Sequence, residues 1–315
     1  MFILLIKYEV KMKTKELLKE TTDKVINLMK TQGTDWVKPW AIKMGNELPI
    51  NYTTQKHYTG FNTFQLSMSA LDSGYDHNKW ATYKQWAGLG HQIKKGEKST
   101  PIFYWDKLLV NDDSGMLNSK GEPVKKNIWF VKYYRVFNAD QVEGLKLPAK
   151  DKDNNKPKIF SNKQAEEFIA NTKANIQYKG GVACYKRQLD YIQIPTKESF
   201  IGSDTSTAEE SFYSTLLHEL VHWTGAESRL KRIKGDSFGD DNYAFEELVA
   251  ETGSALLCSL LNVSVEPRPD HAQYLNNWIK QLEKDPKVIL KAFSQSYKAV
   301  DYLHDLQTKK LKEVA

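Results

Sequence analysis

Cysteine is nearly absent from this chain: Cys184 and Cys258 are the two in 315 residues. Two thiols make no disulfide framework, and their separation is not that of a zinc knuckle, so a reducing, cytoplasmic compartment is expected. Long apolar runs are missing as well. The apolar start, Phe2 to Ile6 ahead of Lys7, is too short for a signal sequence or a membrane span, and no membrane partner is expected. A second methionine, Met12, opens a lysine-rich helical pattern, so residues 1–11 read as an extension ahead of an alternative start. No repeat of fixed period is visible, which excludes solenoids and propellers.

What is present is ordinary in amount and uneven in placement. Hydrophobic residues make up 40% and charged residues 27%, the range of a soluble globular protein, and the length suits two domains. Residues 1–150 hold 23 lysines and arginines against 15 acids, a balance of +8; residues 151–315 hold 22 against 24, a balance of −2. Trp36, Trp40, Trp80, Trp86, Trp105 and Trp129 all lie in the first half, against Trp223 and Trp278 in the second. Basic charge interleaved with aromatic rings is the composition of a surface for single-stranded nucleic acid, and equally of a lysine-rich domain with an aromatic core.

The fold class expected is α+β in two domains: 12–145, a linker over 146–160, and 161–315. In the first, helices are expected over 14–31, 63–73 and 79–88, with residues 51–62 as loop backbone. Strands are expected at Pro101–Asp106 and Ile128–Phe137, paired antiparallel. The linker, Lys146-Leu-Pro-Ala-Lys-Asp-Lys-Asp-Asn-Asn-Lys-Pro-Lys158 with its flanks, has almost nothing to bury. Beyond it, Ser161 with Gln164 caps a helix to about Thr172, and short strands are expected at Ile176–Tyr178, Val182–Tyr185 and Asp190–Ile194.

The most informative stretch follows. His218-Glu219-Leu-Val-His222 is an H-E-x-x-H motif within a helical pattern. Ser206 with Glu209, or Thr207 with Glu210, makes a capping box at its start; Phe212, Leu216, Leu217, Leu220 and Val221 recur at helical spacing, and Gly225 is a stop. Residues four apart share a helix face, so both imidazoles can point at one cation, and Glu219 stands where a carboxylate can take a proton from water activated there. A helix, a small sheet and then this helix is the order of a zincin-type metallopeptidase core.

A catalytic zinc site needs a third protein ligand and one open position. No further histidine continues the motif in the metzincin pattern. The candidates lie in Tyr243-Ala-Phe-Glu-Glu-Leu-Val-Ala-Glu-Thr-Gly-Ser-Ala-Leu-Leu257, a second helix. There Glu247 and Glu251 share a face, whereas Glu246 is rotated away. The pair resembles the glutamate-zincins, in which a glutamate ligand is followed by an acid that orients a ligand histidine; Glu247 is read as the ligand and Glu251 as the orienting or alternative group. Gly253 permits close approach to another helix. Tyr243 is one candidate oxyanion stabiliser, though nothing in its spacing selects it.

Leu217-His-Glu-Leu-Val-His-Trp-Thr-Gly-Ala-Glu-Ser-Arg-Leu-Lys-Arg232 with Tyr243 to Glu251 resembles the ArdC family of antirestriction proteins. So do Asn51 to Asn62, Trp80-Ala-Thr-Tyr-Lys-Gln-Trp86, Lys94-Lys-Gly-Glu-Lys-Ser-Thr100, Tyr274 to Leu282 and Ala299-Val-Asp-Tyr-Leu303. The likeness runs from about Lys13 to Leu306. It implies an N-terminal domain that binds single-stranded DNA without strong sequence preference, joined to a metallopeptidase-like domain with one Zn²⁺ per chain. Such proteins are carried by plasmids, phages and other mobile elements and protect incoming DNA from host restriction.

Three readings remain open: a zinc-dependent peptidase acting on a host restriction-system protein or another protein, a single-stranded-DNA-binding protector whose metal is structural, and a protease that clears protein–DNA crosslinks. For the strand itself the candidates are Tyr58, Asn62, Trp80, Tyr83, Lys84, Trp86, Lys94, Lys95 and Lys98, rings to stack on bases and lysines to neutralise phosphates. Trp80, Tyr83 and Trp86, at i, i+3 and i+6, make a core stripe as readily as a platform.

Overall fold

The computed structural model describes residues 2–39, 48–112, 116–117, 119, 121–147, 162–232, 241–265 and 272–313. Trp40, Ser161 and most of the 146–160 linker lie outside them.

The first half is built on a helix and a sheet. Helix α1 (Phe2–Gln32) includes the expected 14–31 segment and begins further upstream; it buries Leu18, Val25, Ile26 and Met29. After a short 3-10 turn carrying buried Trp36 and Val37 come β1 (Ile50–Asn51), α2 (Phe61–Asp72), β2 (Lys79–Thr82), α3 (Tyr83–Gly88), β3 (Thr100–Asn111) and β4 (Lys125–Asn138). The sheet order is β1-β2-β4-β3. As expected, β3 and β4 pair antiparallel, in unbroken register from Thr100 opposite Val136 to Asn111 opposite Lys125.

One expectation is corrected here. Residues 79–88 are not a single helix: 79–82 form a strand, with Trp80 opposite Asn138, and the helix starts at Tyr83. Thr82 is the hinge, its Oγ1 accepting from the Gln85 amide at 3.3 Å while the Gln85 side chain accepts from the Thr82 amide at 2.9 Å. Long-range pairing thus overrides a helical reading of the local sequence.

The second half comprises α4 (Asn162–Thr172), β5 (Ile176–Tyr178), β6 (Cys184–Lys186), β7 (Tyr191–Ile194), α5 (Ala208–Thr224), α6 (Asp241–Leu261), α7 (Ala272–Lys284) and α8 (Lys287–Glu313). Its sheet, ordered β5-β7-β6, is parallel on one side of β7 and antiparallel on the other. Helix α5 is the centre, packed against α6, α8 and the sheet. Of the two possible caps, Thr207 with Glu210 is the one formed: Thr207 Oγ1 accepts from the Glu210 amide at 3.2 Å and Glu210 accepts from the Thr207 amide at 2.9 Å. Glu210 also accepts from the Ser264 hydroxyl at 2.7 Å, which ties the start of α5 to the end of α6.

A single large apolar core runs through both halves. Phe61 and Phe64 of α2 meet Phe293 of α8 at ring distances of 5.4 and 4.9 Å, and Val25 and Met29 of α1 belong to the same cluster as Leu220 and Val249. At its margin Lys30 of α1 pairs with Glu283 of α7 at 3.0 Å. Among the described residues no helix is long and apolar enough to cross a membrane.

Candidate functional site

Helices α5 and α6 lie unusually close where Gly253 faces Val221. A Cβ on Gly253 would stand 3.0 and 3.1 Å from the two Val221 methyls, so only glycine fits without displacement. This approach brings the glutamates of α6 against the histidines of α5.

His218 and His222 turn their Nε2 atoms towards one another, 3.1 Å apart. Glu247 spans them, with one oxygen 3.5 Å from His218 Nε2 and the other 3.5 Å from His222 Nε2. The potential ligand atoms of these three residues lie within 4.8 Å of one another. A zinc centre with bonds of about 2.0–2.1 Å sets its ligands roughly 3.3 Å apart, so the two Nε2 atoms and the carboxylate that spans them are close enough to share one cation.

The other ring nitrogens also face carboxylates. His222 Nδ1 is 3.2 Å from Glu246 and His218 Nδ1 is 3.7 Å from Glu251. Carboxylates behind ligand histidines fix the ring tautomer and raise its basicity. Glu246 is therefore not rotated away from the site. Helix α6 crosses α5 so that Glu247 faces the Nε2 side of His222 and Glu246 its Nδ1 side. Behind Glu246 stands Arg232, donating from Nε and Nη2 at 2.8 and 2.7 Å to the two carboxylate oxygens. Arg232 also donates to the Val221 carbonyl at 2.7 Å and the Thr224 hydroxyl at 3.1 Å. The sequence signal for this pair was weak: Arg232 lies at the end of an irregular segment, and only the fold sets it against α6.

The electrostatics describe a place for positive charge. Glu246, Glu247 and Glu251 are buried within 3.7 Å of the two imidazoles, and Glu219, next to His218 in the chain, is buried as well. Burial disfavours a charged His222, but Glu247 and Glu246 outweigh it and push its pKa up to about 10. Burial likewise opposes ionisation of Glu247, yet His222 and His218 hold its carboxyl well below the usual carboxylate range. Burial, the Glu247 charge and Tyr274 push the Tyr243 phenol above its ordinary value, so Tyr243 remains a neutral group one helical turn from Glu247.

Of the nine residues expected at a DNA surface, four are core. Trp80 and Trp86 are fully buried, their indole N–H groups donating to Asn78 at 2.7 Å and to the Phe137 carbonyl at 3.1 Å. Tyr58 is buried, its hydroxyl accepting from Asn51 at 3.1 Å. Asn62 staples α2 to β3 by two 2.8 Å bonds with the Phe103 backbone. No base can reach these rings. Tyr83, Lys84, Lys94, Lys95 and Lys98 are exposed, with Lys94 donating to the Asp140 carbonyl at 2.7 Å.

Fold and site together define an α+β protein whose second half is zincin-like. Residues 163–295 match a zincin-like metallopeptidase family, and residues 15–137 match the N-terminal domain of anti-restriction factor ArdC. The chain belongs to the ArdC antirestriction family. It is similar to the metal-free crystal structure of the antirestriction ArdC protein from plasmid R388, at 30% identity and a TM-score of 0.72 over 93% of this chain and 98% of that one. A Mn(II)-bound structure of the same protein aligns at 29% identity and a TM-score of 0.70, over 92% of this chain and 97% of that one. An uncharacterized protein, y4eC, of Sinorhizobium fredii is 32% identical over 93% of both chains. Two Escherichia coli proteins named DNA primase TraC are 35% and 36% identical over 93% and 92% of this chain, which spans only 27% and 20% of their lengths.

Proposed function

We propose that the chain is an antirestriction protein of mobile-element DNA, working in the cytoplasm. Its first half, 12–145, holds single-stranded DNA; its second, 161–315, carries one Zn²⁺ on His218, His222 and Glu247, with Glu219 as general base of a peptidase. The observation that carries this reading is the buried cluster in which two Nε2 atoms 3.1 Å apart each face one oxygen of the Glu247 carboxylate at 3.5 Å, with a further carboxylate behind each ring. The Mn(II) form of the R388 relative supports a divalent cation, and a ligand set of two histidines and one glutamate suits zinc.

A bound zinc ion supplies Lewis acidity that brings the pKa of water to about 7. Glu219, buried and next to His218 in the chain, would take the proton from the attacking water and return it to the leaving amine. Glu246 and Glu251 keep the rings oriented while this happens.

The substrate is proposed to be a host restriction-system protein met at the incoming strand. Glu219→Gln keeps the ligand set and removes the base. The variant is expected to bind metal as the parent does and to lose protection of transferred DNA. Full protection by Glu219→Gln would favour a strand-binding protector with a structural metal instead.

A further inference from the structure

We infer that the outer part of the β3–β4 ribbon is a base-stacking platform for single-stranded DNA, with Trp105 and Trp129 as its rings and Lys107 and Lys298 as phosphate contacts. This deepens the DNA-binding reading above and rests on it.

Register places these side chains together. Lys107 lies opposite Trp129, and Trp105 lies opposite Val131. Cross-strand partners share a face, as do residues two apart, so Trp105, Lys107 and Trp129 stand on one side of the ribbon. The two indoles are diagonal neighbours, about 7–8 Å apart at the backbone, and Lys107 is next to both, opposite Trp129 and two residues along the strand from Trp105.

Exposure separates these rings from the other tryptophans. Trp129 is 61% and Trp105 37% exposed, whereas Trp36, Trp80 and Trp86 are fully buried. Exposed indoles cost solubility and contribute nothing to this core, which makes them candidates for a partner. The charge around them selects its chemistry. On their face the two strands carry Lys107, Lys125 and Arg135 and no acid; Asp106 is on the opposite face, where Lys132 pairs it. Flat rings in a positive field fit an anionic chain of planar groups, and stacking on them requires bases with a free face, as in a single strand.

The surface continues inward. Trp105 walls a cleft of about 300 Å³ between the ribbon and α8, lined also by Asn62, Ser294, Tyr297, Lys298 and Asp301. Lys298 is exposed on α8, the helix that packs on the glutamate helix α6. A strand leaving the indoles along this cleft meets a second cation and runs towards the half of the molecule that holds the metal site.

The test is fluorescence anisotropy of a labelled oligothymidylate with the full chain and with Trp105→Ala, Trp129→Ala, Trp129→Phe, Lys107→Ala and Lys298→Ala, each checked for an unchanged melting temperature. Each tryptophan truncation is expected to weaken binding roughly 5- to 150-fold, the equivalent of about 1–3 kcal/mol per stacked base, with Trp129→Phe between parent and alanine. Each lysine variant should lower the slope of log affinity against log salt by about 0.7. If the parent binds and both alanine variants bind as tightly, the platform lies elsewhere. If the tryptophan variants lose duplex binding equally, stacking is not the mode. If the parent binds no oligonucleotide, the DNA-binding reading itself falls, and the ribbon is left as a surface for a protein partner.

Discussion

His222 holds Glu246 on one ring nitrogen, at 3.2 Å, while its other nitrogen faces Glu247 at 3.5 Å. The two glutamates are adjacent in sequence and serve opposite sides of one imidazole. Glu246 in turn neutralises Arg232, whose side chain is 3% exposed. Removing the carboxylate leaves a buried guanidinium without its charge partner, so Glu246→Ala is expected to cost about 3–5 kcal/mol in urea unfolding. A loss below about 1 kcal/mol would mean that water reaches Arg232.

Glu251 lies 3.7 Å from the Nδ1 of His218, on the side of the ring away from the Nε2 that faces Glu247. Glu251→Ala should therefore retain one equivalent of metal but weaken its binding about 10- to 100-fold, measured by competition with a chelator. Complete loss of metal in this variant would make Glu251 the ligand.

The close crossing of α5 and α6 gives a third prediction. A Cβ at Gly253 would crowd Val221 at 3.0 Å, so Gly253→Val is expected to destabilise by about 1–3 kcal/mol through overpacking. Val221→Ala opens that space. The double variant should be more stable than the sum of the single effects predicts, with a coupling of about 0.5–3 kcal/mol. Simple additivity would show that the two helices move apart freely.

Asp190, in a left-handed turn before β7, accepts from Arg229 and from the Tyr185 hydroxyl, and Arg229 stacks 4.0 Å over Trp223 at the end of α5. The Arg229 bond holds the Asp190 carboxyl below its ordinary 3.8. A depressed folded pKa contributes stability above the unfolded value and loses it as pH falls through the lower, folded one. Asp190→Asn should thus lower the melting temperature at neutral pH, with the gap to the parent closing in strong acid. A constant gap across that range would detach the effect from this titration.

Much of this is legible in the residues alone, and the limits have physical causes. The H-E-x-x-H helix declares itself through local signals: a capping box, an apolar stripe, a glycine stop. The glutamate helix and the role of Gly253 follow from spacing, since both concern one face of one helix. The strands at 176–178 and in the β3–β4 hairpin show β-branched and aromatic runs. What local pattern cannot carry is a partner distant in sequence. Trp80 looks helical with Trp86 until Asn138 pairs with it from 58 residues away. Glu246 looks misplaced until the crossing of two helices gives it His222 and Arg232. The same holds for the aromatic surface: rings at 80 and 86 are core and those at 105 and 129 are exposed, although Trp105 shares its face of the ribbon with buried Phe103; how far along the ribbon the core reaches makes the distinction.

The central claim is that His218, His222 and Glu247 hold one divalent cation. Elemental analysis of the purified full chain, parent against Glu247→Ala, tests it most directly. One equivalent of zinc in the parent and none in the variant is the predicted result. A parent without bound metal, or a Glu247→Ala variant that keeps its full equivalent, would contradict it.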